Sequence, residues 1–165
     1  MRAFHATVVE VTDLSPAMRR VVFGGPGLAE FRSTGVGDEY IRLLFPPDPE
    51  QVPELPPIVN GAIDYSAIDV SRLRTYTVRD HDPVTGRLTV DFVVHEGGVG
   101  ARWARQAVPG QVIAINSPDA LYSPPPGLQW LALVADYAGL PAAARIAETT
   151  PDHVRVRLVV EIADD

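Results

Sequence analysis

The sequence predicts a closed β-barrel or β-sandwich followed by the beginning of an α/β domain. Three observations carry that expectation. Six or so short β-prone segments with Gly- and Pro-rich punctuation fill the first two thirds of the chain. A stiff proline segment at 122–127, YSPPPG, marks a change of character. Beyond it the pattern reads strand, helix, strand, which opens a parallel sheet.

The first strand is expected over 5–11, where β-branched residues concentrate. The second, 18–23, carries Val21, Val22 and Phe23 and stops at the GGPG of 24–27. The third, 40–45, is apolar and runs into Pro46 and Pro47. From 46 to 71 the chain is proline-rich and reads as a long irregular surface loop. A short strand follows at 75–78. The next, 87–95, sets Leu88, Val90, Phe92 and Val94 on one face and Thr89, Asp91 and Val93 on the other. The DPVTGR of 82–87 before it reads as a hairpin turn. The last barrel strand, 111–115, follows the Pro109-Gly110 turn.

Between those two strands, 100–107 (GARWARQA) is a helical candidate entered through the glycines of 97–100. After the proline segment, 130–135 (WLALVA) is continuously apolar, as in a strand buried on both faces. The Ala-rich 140–148 is helical, with Pro141 in its first turn. Val154, Val156, Leu158 and Val160 alternate over 154–162, a further strand. The expected division is a barrel domain over 1–122 and an incomplete strand–helix–strand portion of a second domain over 128–165.

Composition narrows the chemistry. A single domain of 165 residues buries about 70% of the surface its unfolded chain exposes, enough for a core without staples. There is no cysteine, which excludes disulfides, thiolate catalysis and Cys-ligated metal clusters. All 14 basic side chains are arginine, so lysine Schiff-base chemistry and a P-loop lysine are excluded. The net charge of −7 argues against nucleic-acid binding, including an oligomer-binding OB-like barrel. The four histidines are scattered and show no metal-ligand spacing. The N-terminus lacks a signal-peptide pattern, and the apolar stretch 128–147 is broken by Asp136, Gly139 and Pro141. A soluble cytoplasmic protein without membrane insertion is therefore expected.

Two segments carry candidate chemistry. In 74–79, RTYTVR, strand geometry puts Arg74 and Tyr76 on one face and Thr75 and Thr77 on the other. Arginine suits phosphate, an aromatic ring suits a planar group, and a hydroxyl suits a heteroatom. The alternative is a surface strand with a snorkelling arginine and a half-buried tyrosine. In 91–103, DFVVHEGGVGARW, a strand leads through glycines into a helix start, where free N–H groups and the helix dipole attract anions. Such turns also occur with no ligand. His95 beside the glycines reads either as a ligand contact or as a satisfied strand-end histidine. Asp38 and Glu39 read as solvated turn carboxylates.

Arg74-Thr75-Tyr76-Thr77 resembles the R-x-Y-[ST] flavin motif of the ferredoxin-reductase-like flavoproteins. With 37–46 (GDEYIRLLFP), 91–95 (DFVVH), the Trp103-Ala104 helix and 136–146 (DYAGLPAAARI), the chain resembles the siderophore-interacting, FAD-binding ferric-siderophore reductases of bacteria. That resemblance implies a six-stranded Greek-key FAD barrel followed by an NAD(P)H-binding domain. It implies that Arg74 binds the FAD phosphates, Tyr76 packs on the isoalloxazine and Thr77 hydrogen-bonds near its reactive edge. Asp91, Phe92, Val93 and His95 would lie along the flavin and ribityl chain. Gly98, Val99, Gly100 and Ala101 would hold the pyrophosphate, and Asp136 and Pro141 would sit on the NADPH or NADH side. The implied substrate is a ferric siderophore. A FAD- or siderophore-binding module without its own NAD(P)H-dependent activity is the alternative. The chain departs from the family pattern in reading Gly-Val-Gly-Ala over 98–101 in place of Gly-Pro-Ala-Ser. It also carries Tyr137 where the family has glutamate, and Tyr40 where many members have histidine.

Overall fold

A computed structural model describes residues 2–162, so the last three residues of the expected second unit, 163–165, lie outside the described residues. The chain forms β1 (Ala3–Ser15), β2 (Met18–Gly24), β3 (Tyr40–Leu44), β4 (Ile58–Val59), β5 (Ala62–Ile63), β6 (Leu73–Thr77), β7 (Asp80–Asp82), β8 (Arg87–Val93), α1 (Val99–Gln106) and β9 (Val112–Asn116). After the proline segment come β10 (Trp130–Ala135), α2 (Leu140–Thr149) and β11 (Arg155–Val160). Seven strands make one antiparallel sheet in the order β6-β3-β9-β1-β2-β8-β7.

The two outer strands of that order are consecutive in the chain. Only Val78 and Arg79 separate β6 from β7. Val78 N–H donates to Glu39 O at 2.8 Å on one side, and Arg79 N–H donates to Thr89 O at 2.9 Å on the other. A single bent strand thus belongs to both ends of the sheet and closes it into a barrel. Counted so, the barrel has the six strands expected. The closure is made by this bend, because β6 pairs only with β3 and β7 only with β8.

Alternation fills the interior. Phe4, Ala6 and Val8 of β1, Val21 and Phe23 of β2, Ile41 and Leu43 of β3, Leu88, Val90 and Phe92 of β8, and Ile113 and Ile115 of β9 are all buried. Each such Phe, Leu, Ile or Val contributes about 1.5–3 kcal/mol of transfer free energy. Helix α1 packs against this core through Trp103, whose ring lies 6.0 Å from Phe23, 5.4 Å from Phe45 and 5.8 Å from Phe92.

Several boundaries differ from expectation. β1 runs to Ser15 because it pairs with β2 beyond the barrel, accommodating irregularities at Val8/Glu10 and Asp13/Ser15. The 82–87 turn is as expected, with the Asp82 carboxylate accepting from Val84 N–H at 2.8 Å and Thr85 N–H at 3.3 Å. The 46–71 loop is more ordered than expected. It holds the β4–β5 hairpin, turned by Asn60 and Gly61 at φ 51° and 77°. That pair has the positive φ values a type I′ turn requires. Two 3₁₀ turns follow, capped by Asp64 and Asp69.

β10 and β11 pair in parallel with α2 between them, as the pattern predicts. β10 is not buried on both faces, however. Trp130, Val134 and Val159 are exposed, while Leu131, Leu133, Val156 and Leu158 are the half-buried set. An apolar run does not distinguish the two faces of a strand, and here only alternate residues are covered. Helix α2 docks on the barrel. A Cβ built on Gly37 would lie 2.6 Å from Ile146 Cγ1 and 2.8 Å from its Cα, an approach only glycine permits.

Candidate functional site

The end of the barrel where β6, β8 and the entry to α2 converge holds a groove of about 410 Å³. Arg74, Thr75, Tyr76 and Thr77 of β6 line one side, and Asp91, Val93 and His95 line the next. Asp38, Tyr40, Ala138 and Pro141 complete it. His95 also borders an adjoining cleft of about 430 Å³ with Glu96, Gly97, Arg102, Arg105 and Gln106, alongside α1. The two hollows meet at that histidine.

Arg74 is exposed, and its Nη1 donates only to backbone carbonyls, those of Ser71 (2.9 Å) and Leu73 (2.7 Å). No carboxylate neutralises it among these contacts, and the residue lines the groove. Tyr76 is half-buried. Its ring lies 4.4 Å from Phe92 and edge-on to Phe45 at 6.3 Å. Burial pushes its hydroxyl up to about 12, with the charge of Arg74 opposing, so the phenol is neutral at physiological pH.

Asp91 is buried and committed to a charge network. Arg20 donates to it from Nε (2.7 Å) and Nη2 (2.8 Å), and Arg79 Nε lies 3.9 Å away. Arg79 in turn makes a two-pronged bond to Glu148 of α2, at 2.8 and 2.6 Å. The pairing with Asp91 raises the pKa of Arg20. Arg20–Asp91–Arg79–Glu148 therefore ties the groove wall to the second unit.

Seven of the sequence-predicted residues line the groove: Arg74, Tyr76, Thr77, Asp91, Val93, His95 and Pro141. The others stand apart from it. The Phe92 side chain is fully buried in the barrel core and supports Tyr76 from beneath. Gly98 is the N-cap of α1 at φ 72°, with no side-chain cap on the first turn. Val99, Gly100 and Ala101 form that first turn, with Gly100 and Ala101 buried. Asp136 does not reach the groove. Its Oδ1 accepts from Gly139 N–H at 2.8 Å and its carbonyl from Leu140 N–H at 2.9 Å, which shapes the loop presenting Ala138 and Pro141.

Sequence reasoning missed Arg20 and Arg79, which hold Asp91, and it misjudged the two carboxylates at 38 and 39. Asp38 accepts from the backbone N–H groups of Leu121 and Tyr122. Glu39 is fully buried and takes bonds at Oε2 from Ser33 Oγ, Thr34 N–H and Oγ1, and Gly35 N–H. The Ser33-Thr34-Gly35 run just before it is the signal that such a carboxylate has local donors.

The model of the siderophore-interacting FAD-binding domain matches residues 7–122. The chain belongs to that family. The siderophore-interacting fold is equally evident in a solved relative, a siderophore utilization protein from T. fusca. It superposes with TM-score 0.82 at 32% identity, covering 99% of this chain and 62% of that one. The NADPH-dependent ferric-chelate reductase of Escherichia coli is 33% identical over 150 residues, 90% of this chain and 58% of the relative. The ferric vibriobactin reductase ViuB of Vibrio cholerae is 29% identical over 155 residues, 92% of this chain and 55% of the relative. The chain spans less than two thirds of each of these proteins. Among the described residues, no helix of this siderophore-interacting domain is long and apolar enough to cross a membrane.

Proposed function

We propose that the groove binds FAD and that the chain is the flavin-carrying part of an NAD(P)H-dependent ferric-siderophore reductase in the cytoplasm. The observation that carries this reading is the convergence of Arg74, Tyr76, Thr77 and His95 on one groove beside the first turn of α1. The groove wall offers an unneutralised cation, a flat aromatic face and a hydroxyl, and α1 offers backbone donors nearby. That set matches a planar ring joined to phosphates.

Bound FAD would supply the redox chemistry, accepting two electrons from NADPH or NADH and releasing them one at a time to two ferric ions. The residues hold and orient. Arg74 pairs with phosphate, and Tyr76 packs on the isoalloxazine while its neutral phenol keeps charge off that face. Thr77 hydrogen-bonds near the reactive edge. Asp91, Val93 and His95 border the ribityl side, and Phe92 acts only through Tyr76. Gly98, Val99, Gly100 and Ala101 present the N–H groups of the first turn to the pyrophosphate. Asp136 shapes the loop that puts Pro141 toward the nicotinamide. The ferric siderophore is the electron acceptor, and ferrous ion is held less tightly by hard oxygen chelators, so reduction releases it.

Visible absorption of the purified chain with FAD tests the reading. Retained flavin bleached anaerobically by NADPH or NADH is the expected result. A chain that takes up no FAD overturns the assignment. If FAD binds and neither nicotinamide reduces it, residues 1–165 act as a flavin-binding module without NAD(P)H-dependent activity of their own.

A further inference from the structure

Asp38 and Tyr40 line the groove, and holding the flavin gives neither a task. Tyr40 pairs with Thr77 in the β3–β6 register, so the two side chains stand side by side on one face of the sheet. Tyr40 Oη donates to Asp119 Oδ2 at 3.3 Å, and the two residues exchange backbone bonds of 2.8 and 3.0 Å. Asp38 holds the same returning segment, accepting from the N–H groups of Leu121 (3.0 Å) and Tyr122 (2.9 Å). Two carboxylates thus stand beside Tyr40, and neither belongs to an ion pair among the described residues. Arg42, two positions along β3, spends its Nη1 on Tyr65 Oη at 2.9 Å, with its guanidinium 5.8 Å from the centre of that ring. Burial and then the charge of Asp119 raise the Tyr40 pKa, with Arg42 opposing and Asp38 adding to the rise. Two negative charges therefore act on this end of the groove against one positive charge. Arg74 stands three positions back along β6, about 10 Å away, and is committed to phosphate once FAD is bound. The net charge of −7 adds a long-range field of the same sign.

We propose that Asp38 and Asp119 make the Thr77 end of the groove select its electron acceptor by charge, so that it takes neutral or cationic ferric chelates and turns anionic ones away. This rests on the FAD reading, which puts the reactive edge of the flavin at Thr77. An acceptor has to approach that edge, and Tyr40 is the wall beside it. A cationic chelate there is attracted by both carboxylates. An anionic chelate meets the same two charges, and the FAD phosphates add to the repulsion. Asp119 is the specificity-determining residue of the pair, because it is exposed and its carboxylate is anchored to the Tyr40 hydroxyl.

The test uses gallium(III), which resembles ferric ion in size and charge and takes no electron. It is bound to desferrioxamine B, to the N-acetyl derivative and to the N-succinyl derivative, giving a cation, a neutral complex and an anion with one chelating core. Each is titrated into the FAD-loaded 165-residue chain and followed by the shifts of backbone amides in NMR. The cation is expected to bind about tenfold more tightly than the anion, with the neutral complex between them, and to shift the amides of Tyr40, Thr77 and Asp119. Asp119→Asn keeps the backbone pairing and is expected to reduce the preference about threefold, and rising salt is expected to shrink it. Glu10→Gln makes the same change of net charge on β1, outside the groove, and is expected to leave the preference unchanged. Absence of binding, equal affinities, a preference for the anion, shifts away from Tyr40, or equal effects of the two variants overturn the proposal. A chain that takes up no FAD overturns the flavin reading and this proposal with it, whereas FAD uptake without a charge preference overturns this proposal alone.

Discussion

Arg145 of α2 brings its Nη1 to 3.6 Å from Glu39 Oε1, and both side chains are buried. The two lie far apart in sequence and in different units, one on the Ala-rich helix and one at the entry to β3. Nη1 of Arg145 also donates to Val78 O at 2.6 Å, at the bend that closes the barrel. Its Nη2 donates to Ser33 Oγ at 3.3 Å. Glu39 Oε1 has no hydrogen bond, so the arginine charge is what compensates that oxygen. The pair joins the barrel to α2, and with Arg79–Glu148 it fixes where Pro141 stands beside the groove.

Removing one member of a buried pair leaves the other charge unpaired, at a cost of about 3–5 kcal/mol. Arg145→Met is therefore expected to lower the urea midpoint strongly. Replacing both partners with apolar residues is expected to recover only part of the loss, because the Ser33, Thr34 and Gly35 donors to Glu39 and the Val78 carbonyl then lose their partners. Urea titration of the two single variants and the double checks this; a single variant as stable as the parent would mean the pair carries nothing.

Gly37→Ala acts on the same junction by steric overlap. The added methyl meets Ile146 at backbone as well as side chain, so α2 itself has to move. A loss of about 1–3 kcal/mol is expected, as for other overpacked sites. Hydrogen exchange should show it first in the amides of α2, while the amides of β1 and β2 remain protected.

Much of this architecture is legible in the sequence because strands announce themselves by alternation. Leu88, Val90 and Phe92 mark β8 and its inward face without any tertiary knowledge. β7 is not legible, since Asp80-His81-Asp82 has no apolar member and forms a strand only because the barrel closes there. Asp38 and Glu39 look alike in sequence and have different fates, for the partner of Glu39 arrives from a distant helix. The groove residues on β6 are legible because a strand spaces them regularly within four positions. The Tyr40–Asp119 contact is not, because it depends on where the segment after β9 returns past β3. The exposed Trp130 and Val134 show the converse limit, that apolar composition does not tell which face is covered.

His81 of β7, which borders a separate hollow with Phe31 and Ser33, offers a pH test of the barrel. Burial lowers its pKa below the usual 6.5, against the pull of Glu39, Asp80 and Asp82, and its ring packs 5.1 Å from Phe31. The folded state then binds fewer protons than the unfolded state. Stability from this source is fully present above the unfolded value of about 6.5 and is lost as pH falls through the folded one. The urea midpoint of the parent should decline as pH drops below about 6.5, and His81→Gln should flatten that decline. Parallel curves for the two proteins would exclude the histidine as the source.

Arg74 separates binding from folding more cleanly than any other groove residue. Its side chain is exposed and bonds only to the carbonyls of Ser71 and Leu73. An exposed substitution of this kind ordinarily changes stability by no more than about 0.5 kcal/mol. Yet a charge-assisted bond to phosphate is among the stronger contacts a ligand makes. Arg74→Ala is therefore expected to keep the parent melting midpoint while weakening FAD binding about 10- to 100-fold. The loss should shrink as salt rises, since an exposed charge pair is screened. Riboflavin, which has the ring and no phosphate, should bind both proteins alike. Equal FAD affinity in parent and variant would remove Arg74 from the site, whereas equal losses for FAD and riboflavin would show that the arginine shapes the groove rather than reads the phosphate.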